Sequence, residues 1–158
     1  MRVLGIDPGL RIAGYGCIEY TKSKNNPILI EGGAIKLNTR QSVSFRLSQL
    51  YSDLIEIIKD TNPELIAVET IFTHSRQVAT ATILGHARGV ILLAGEQASL
   101  PLVEITPAEI KKSMTGNGRA TKAQIGQAVT SILNLHEPPN PPDVADALAI
   151  AITAAVRQ

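Results

Sequence analysis

Apolar positions recur along this chain with two different periods, and the change of period divides it. The first third reads as strands. Arg2 to Asp7 is a short apolar run closed by an acid. Pro8-Gly9-Leu10-Arg11 has turn chemistry, Ala13 to Tyr20 reads as a second strand, and the polar stretch from Lys22 to Pro27 as another turn. Ile28 to Leu37 gives a third strand, in which Gly32-Gly33 marks a bulge. Short connections between three successive strands predict an antiparallel meander.

The spacing then becomes helical. Val43, Leu47, Leu50, Leu54 and Ile58 share one face, Ser42 is placed to cap it, and Asn62-Pro63 stops it. Leu65 to Glu69 is again an apolar run closed by an acid. A long helix is expected within Ser75 to Ala98, and a short strand at Leu102 to Ile105. Thr106-Pro107-Ala108-Glu109 has the residues of a capping box with proline in the first turn. A loop at Gly116-Asn117-Gly118 precedes a helix from Thr121 to Leu133. The four prolines between His136 and Pro142 exclude regular structure, and Pro142 opens an alanine-rich helix to about Val156. The resulting order is βββ-α-β-α-β-α-α-α. It predicts an α/β fold with a five-stranded mixed sheet, in which the first, Leu65 and Leu102 strands run parallel between helices.

Composition narrows the class. With 158 residues the chain suits one domain spanning 1–158, and such a chain buries about 70% of its unfolded surface. Aromatic residues are 3% of it, so the core must be aliphatic. A lone cysteine, Cys17, excludes an internal disulfide and a cysteine-built zinc site. No uninterrupted apolar stretch approaches 18 residues and the N-terminus lacks signal-peptide character, so no membrane span and a cytoplasmic location are expected.

The net charge of +1 conceals an uneven distribution. Between Ile105 and Leu135, Lys111, Lys112, Arg119 and Lys122 face a single acid, Glu109. Such a patch is either a solvated helical face or a surface for a polyanion.

Four acids stand out. Asp7 and Glu69 each end an apolar strand, and Asp143 and Asp146 lie three apart at the start of an otherwise apolar helix, on one face of it. Each has an ordinary reading: Asp7 as a turn former, Glu69 as an ion-pair partner, the aspartate pair as acids at a helix N-terminus. Together they imply convergence, and converging carboxylates raise one another's pKa. A pair of hard divalent cations removes that conflict, and all-oxygen ligands favour Mg²⁺ or Mn²⁺. Two such ions would serve a phosphoryl displacement. Setting these acids aside leaves an excess of five basic residues, which suits a polyanionic substrate.

The segments Gly5-Ile6-Asp7-Pro8-Gly9, Ala67-Val68-Glu69-Thr70-Ile71-Phe72, Gly85-His86-Ala87-Arg88-Gly89-Val90 and Asp143-Val144-Ala145-Asp146-Ala147-Leu148-Ala149 together resemble those of the RuvC-type Holliday-junction resolvases, in the RNase H-like superfamily. The first motif alone is weak, because sugar kinases and actin-like ATPases carry related ones; the ordered set is specific. The resemblance implies that Asp7, Glu69, Asp143 and Asp146 are the catalytic acids and hold two Mg²⁺. It implies a homodimer that makes paired nicks in a four-way DNA junction, leaving 5′-phosphate and 3′-hydroxyl ends, alongside a branch-migration motor in recombination and repair. Lys111 and Lys122 match DNA-contacting lysines, with Lys122 also supporting catalysis, and Phe72 matches an aromatic that stacks on a base. Arg76, Arg88 and Arg119 are weaker candidates for DNA contact. Gly85, Ala87 and Gly89 permit close helix packing, at a dimer interface or within the subunit. His74, His86 and His136 have no metal-ligand spacing and receive no role. Two other readings stay open: a junction-binding module without turnover, and an RNase H-like nuclease acting on structured RNA.

Overall fold

The computed structural model describes residues 1–23, 26–70 and 78–158. Its elements follow the expected order: β1 (Arg2–Asp7), β2 (Ile12–Glu19), β3 (Ile28–Lys36), α1 (Val43–Thr61), β4 (Leu65–Glu69), α2 (Val78–Gln97), β5 (Leu102–Ile105), α3 (Pro107–Thr115), α4 (Lys122–Ile132) and α5 (Pro142–Arg157). The five strands form one sheet in the order β3-β2-β1-β4-β5. β1 pairs antiparallel with β2, and β2 with β3; β1–β4 and β4–β5 are parallel. The mixed sheet predicted from the sequence is present.

Side-chain alternation sorts β1 and β4 between two cores. Leu4, Ile6, Ile66 and Val68 face α1 and α2, with Leu50, Leu54, Ala87 and Ile91. Val3, Leu65 and Ala67 face α3, α4 and α5, with Ile110, Ile125, Val129 and Leu148. The sheet is thus the middle of three layers, and the core is aliphatic. By the same alternation Asp7 and Glu69 belong to the face that α5 covers.

α5 lies unusually close to that face, because β1 and β2 present glycines beneath it. A Cβ on Gly5 would stand 2.1 Å from the Ala147 carbonyl oxygen, and one on Gly14 would stand 2.0 Å from that of Asp143. Gly14 is also the antiparallel partner of Asp7. Backbone contact at this point fixes the start of α5, and with it both aspartates, beside the end of β1.

The helix ends follow local chemistry. The Ser42 hydroxyl accepts from the Phe45 amide at 3.2 Å, and Asn62 ends α1 in the left-handed region with φ 47°. Thr106 and Glu109 form the capping box of α3. A second capping box, Thr121 with Gln124, starts α4 and sets Lys122 as its first residue.

One local expectation is corrected. The bulge between β2 and β3 is not at Gly32-Gly33, which pair in register with Gly16 and Tyr15; the register shifts instead opposite Cys17 and Ile18. The glycines serve side-chain packing. A Cβ on Gly33 would stand 2.7 Å from the Tyr15 hydroxyl, whose ring covers that position while the hydroxyl donates to Glu31 at 2.8 Å.

α2 has 20 residues and a mean hydropathy of 1.4 in its most apolar window, so among the described helices it is the one long and apolar enough to cross a membrane. His86, Arg88 and Glu96 interrupt the run. Ala87, Ile91, Ala94 and Gly95 are buried in the protein's own fold.

Candidate active site at the strand ends

The parallel register places Ile6 beside Val68, so the next residues, Asp7 and Glu69, emerge together at the ends of adjacent strands. Asp146, one helical turn into α5, joins them. These three carboxylates line one cleft of about 110 Å³ with Lys111 of α3 and Lys122 of α4. Pro107, Ile110, Ile125 and Ile150 form its apolar walls. Low-polarity walls around ionisable groups strengthen every charge interaction between them.

Asp7 shows the consequence. Its carboxyl pKa is pushed up to about 7, first by burial and then by the negative charges of Asp146 and Glu69; Lys122 opposes the rise and Asp143 adds to it. Glu69 is also raised, mainly by burial and then by Asp146, against the pull of Lys122 and Lys111. The Lys122 ammonium donates to Asp146 Oδ2 at 2.6 Å, and this hydrogen bond is the main cause of its raised pKa. The side chain of Lys122 is otherwise mostly exposed while that of Asp146 is one-fifth exposed, so the ammonium closes the cleft from the solvent side.

Asp143 stands slightly apart. It lines a neighbouring hollow with the β1–β2 turn, although its charge still reaches Asp7. Among the described residues, no three His, Cys, Asp or Glu side chains are placed to hold one metal ion together. The donor set nevertheless suits a hard cation. It consists of carboxylate oxygens, and burial together with the neighbouring acids disfavours the bare Asp7 carboxylate, a cost that a bound cation would offset.

Of the other sequence candidates, Arg119 lies in the α3–α4 loop, exposed and outside the cleft, with its amide donating to Asn117 Oδ1 at 3.0 Å. Phe72 and Arg76 lie outside the described residues, as does His74. Arg88 pairs with Glu104 at 2.5 Å, which ties α2 to β5. Ala87, on the inner face of α2, is fully buried, whereas a Cβ on Gly85 or Gly89 would meet nothing within 4 Å, so the three small residues do not share one surface. The Lys122–Asp146 pair and the second capping box were not among the sequence expectations. The Thr121-x-x-Gln124 pattern carried a signal for the latter.

A mixed sheet of this order, with acids on its central parallel strand ends and on the covering helix, defines an RNase H-like nuclease fold. A family model described as crossover junction endodeoxyribonuclease RuvC matches residues 3–154. The chain belongs to the RuvC family. Crossover junction endodeoxyribonucleases from Desulforamulus reducens and Halothermothrix orenii are 44% and 46% identical to it over 152 residues, covering 96% of this chain and 91% and 90% of theirs. The structure of Thermus thermophilus RuvC superposes with a TM-score of 0.89 at 33% identity, covering 99% of this chain and 95% of that one. The same protein in complex with Holliday junction substrate gives 0.88 at 30% identity over the same shares. The yeast mitochondrial resolvase, at 14% identity and a TM-score of 0.68, shares the fold, covering 97% of this chain and 77% of its own.

Proposed function

We propose that this chain resolves four-way DNA junctions by hydrolysing phosphodiester bonds at the Asp7–Glu69–Asp146 cleft. The observation that carries the reading is the meeting of three carboxylates and two lysines in one cleft, within a family of junction endonucleases. Asp7, Glu69, Asp143 and Asp146 are the residues that would hold two Mg²⁺, or Mn²⁺ in their place. Bound there, the ions supply Lewis-acid stabilisation of the attacking and leaving oxygens.

The chain's own residues do the rest. The carboxylates offer hard oxygen donors on a rigid base, since β1, β4 and α5 hold them by backbone pairing and close packing. Lys122 and Lys111 bring positive charge to the mouth of the cleft, where a scissile phosphate gains negative charge as water adds and the phosphorus–O3′ bond breaks. Lys122 is engaged with Asp146 before substrate arrives, so it and a divalent cation would compete for Asp146 Oδ2. Arg119, on the exposed loop beside α3, contacts the DNA backbone. For Phe72 as a base-stacking wedge and Arg76 as a phosphate contact, support comes from the family resemblance alone.

The working unit is a homodimer, because paired nicks in a two-fold substrate need two sites related by a two-fold axis. The outward face of α2 suits this contact: Val78 and Leu93 are exposed there, and Gly85 and Gly89 leave it open to close approach. A branch-migration motor as partner, a cytoplasmic location and a single domain over 1–158 complete the reading.

The test is a synthetic four-way junction incubated with the protein and Mg²⁺. Paired symmetric nicks are expected. Binding without cutting would leave only a recognition module, and cleavage of structured RNA in preference to the junction would favour an RNA-processing role.

A further inference from the structure

Beside the cleft, on the far side of Asp143, lies a hollow of about 550 Å³ between the β1–β2 turn, α1 and α2. Two guanidinium groups, Arg11 and Arg46, line it with Thr80, Ile83 and Asp143. Arg46 Nη1 donates to the Leu10 carbonyl oxygen at 2.7 Å, which locks its guanidinium beneath the turn. Its Nε is buried and has no hydrogen-bond partner among the described residues. Neither arginine forms an ion pair among them, and the Arg11 side chain is exposed and makes no hydrogen bond there. Holding a charged, partly desolvated guanidinium without a counter-ion is costly, and bidentate recognition of an anion is what its geometry suits. The one carboxylate on the rim, Asp143, belongs to the catalytic set.

We infer that this hollow holds a second backbone phosphate of the junction, gripped by Arg11 and Arg46, and so sets the path of the strand whose neighbouring phosphate enters the catalytic cleft. The inference rests on the resolvase reading and extends it. Asp143 lines this hollow and its charge reaches Asp7 in the neighbouring cleft, so the two sites are close enough for phosphates of one strand. Ile83 offers an apolar wall to the intervening sugar, and the Thr80 hydroxyl adds a donor. Arg11 and Arg46 are positioning residues here, not part of the chemistry.

The test is the salt dependence of binding to a labelled four-way junction, measured by anisotropy with a chelator present so that nothing is cut. Each phosphate contact contributes about 0.9 to the slope of log affinity against log salt. Arg11→Gln is expected to weaken binding about tenfold, as loss of a charged hydrogen bond does, and to make the slope shallower by about one contact. Arg46→Gln should do the same while Arg46→Lys keeps the wild-type slope, a rescue that a merely structural role at Leu10 would not give. Wild-type slopes in both glutamine variants would overturn the inference, as would Arg46→Lys behaving like Arg46→Gln. Those outcomes leave the resolvase reading intact. A wild-type chain that fails to bind the junction at all overturns both.

Discussion

The Lys122 ammonium stands 2.6 Å from Asp146 Oδ2 across the mouth of the cleft, and it pairs with an acid whose side chain is one-fifth exposed. A cation that takes Asp146 Oδ2 must displace it. Released, the lysine is free to meet a phosphate at the same mouth. Lys122→Ala is therefore expected to bind Mg²⁺ several-fold more tightly than wild type, by calorimetry without DNA. It should also cut junctions about 10²-fold more slowly, the scale of losing one electrostatic contact to a transition state. Weaker Mg²⁺ binding in that variant would show that the lysine does not compete for the site.

Asp7 makes stability fall as pH rises. Its pKa is about 7 in the folded chain against 3.8 for an ordinary aspartate, so between these values the folded state holds the proton that the unfolded state has lost. Stability from this group is fully present below pH 3.8 and is lost as pH rises through 7. At 1.36 kcal/mol per unit the whole effect is up to about 4 kcal/mol. In metal-free urea melts, Asp7→Asn should flatten this part of the pH profile and be more stable than wild type at pH 8. Added Mg²⁺ should stabilise the wild type more at pH 8 than at pH 6, since a bound cation takes the proton's place.

Gly14 tests how the site is held. An alanine Cβ there would meet the Asp143 carbonyl oxygen at 2.0 Å, so α5 must shift at the turn that carries two of the four acids. Gly14→Ala should cost about 1–3 kcal/mol in denaturant melts, in line with overpacking elsewhere. It should also depress junction cutting in protein that remains folded. Full activity would show that the start of α5 has slack the packing does not suggest.

Much of this arrangement was legible in the chain. Apolar runs, helical spacing and cap or proline signals gave the type and order of the elements, and the position of Asp7 and Glu69 at the ends of apolar runs announced a shared location. Contacts that depend on how helices pack were not legible. Lys122 and Asp146 are 24 positions apart and meet only because α4 lies across α5. The Gly32-Gly33 pair resembled a bulge because glycine serves both bulges and close side-chain packing. Only the ring of Tyr15 tells them apart. Ala87 matched its glycine neighbours in size, yet it turns inward while they turn out, a distinction that helical phase against the sheet decides.

The outward α2 face gives a separate prediction for assembly. Leu93 is half-exposed beside the open Gly89, where a charge would be desolvated by a second subunit. Leu93→Glu should shift the protein from dimer to monomer in sedimentation velocity and abolish paired nicking, while its melting profile stays close to that of the wild type. An unchanged dimer would move the interface elsewhere.

The carboxylate cleft is tested most directly by Asp7→Asn on a four-way junction in Mg²⁺, with cutting and binding followed in the same samples. The substitution keeps the shape of the side chain and removes one negative charge beside the DNA. If the cleft is the catalytic centre, strand cleavage disappears while junction affinity is kept or increased. Cleavage at the wild-type rate in that variant would contradict that role.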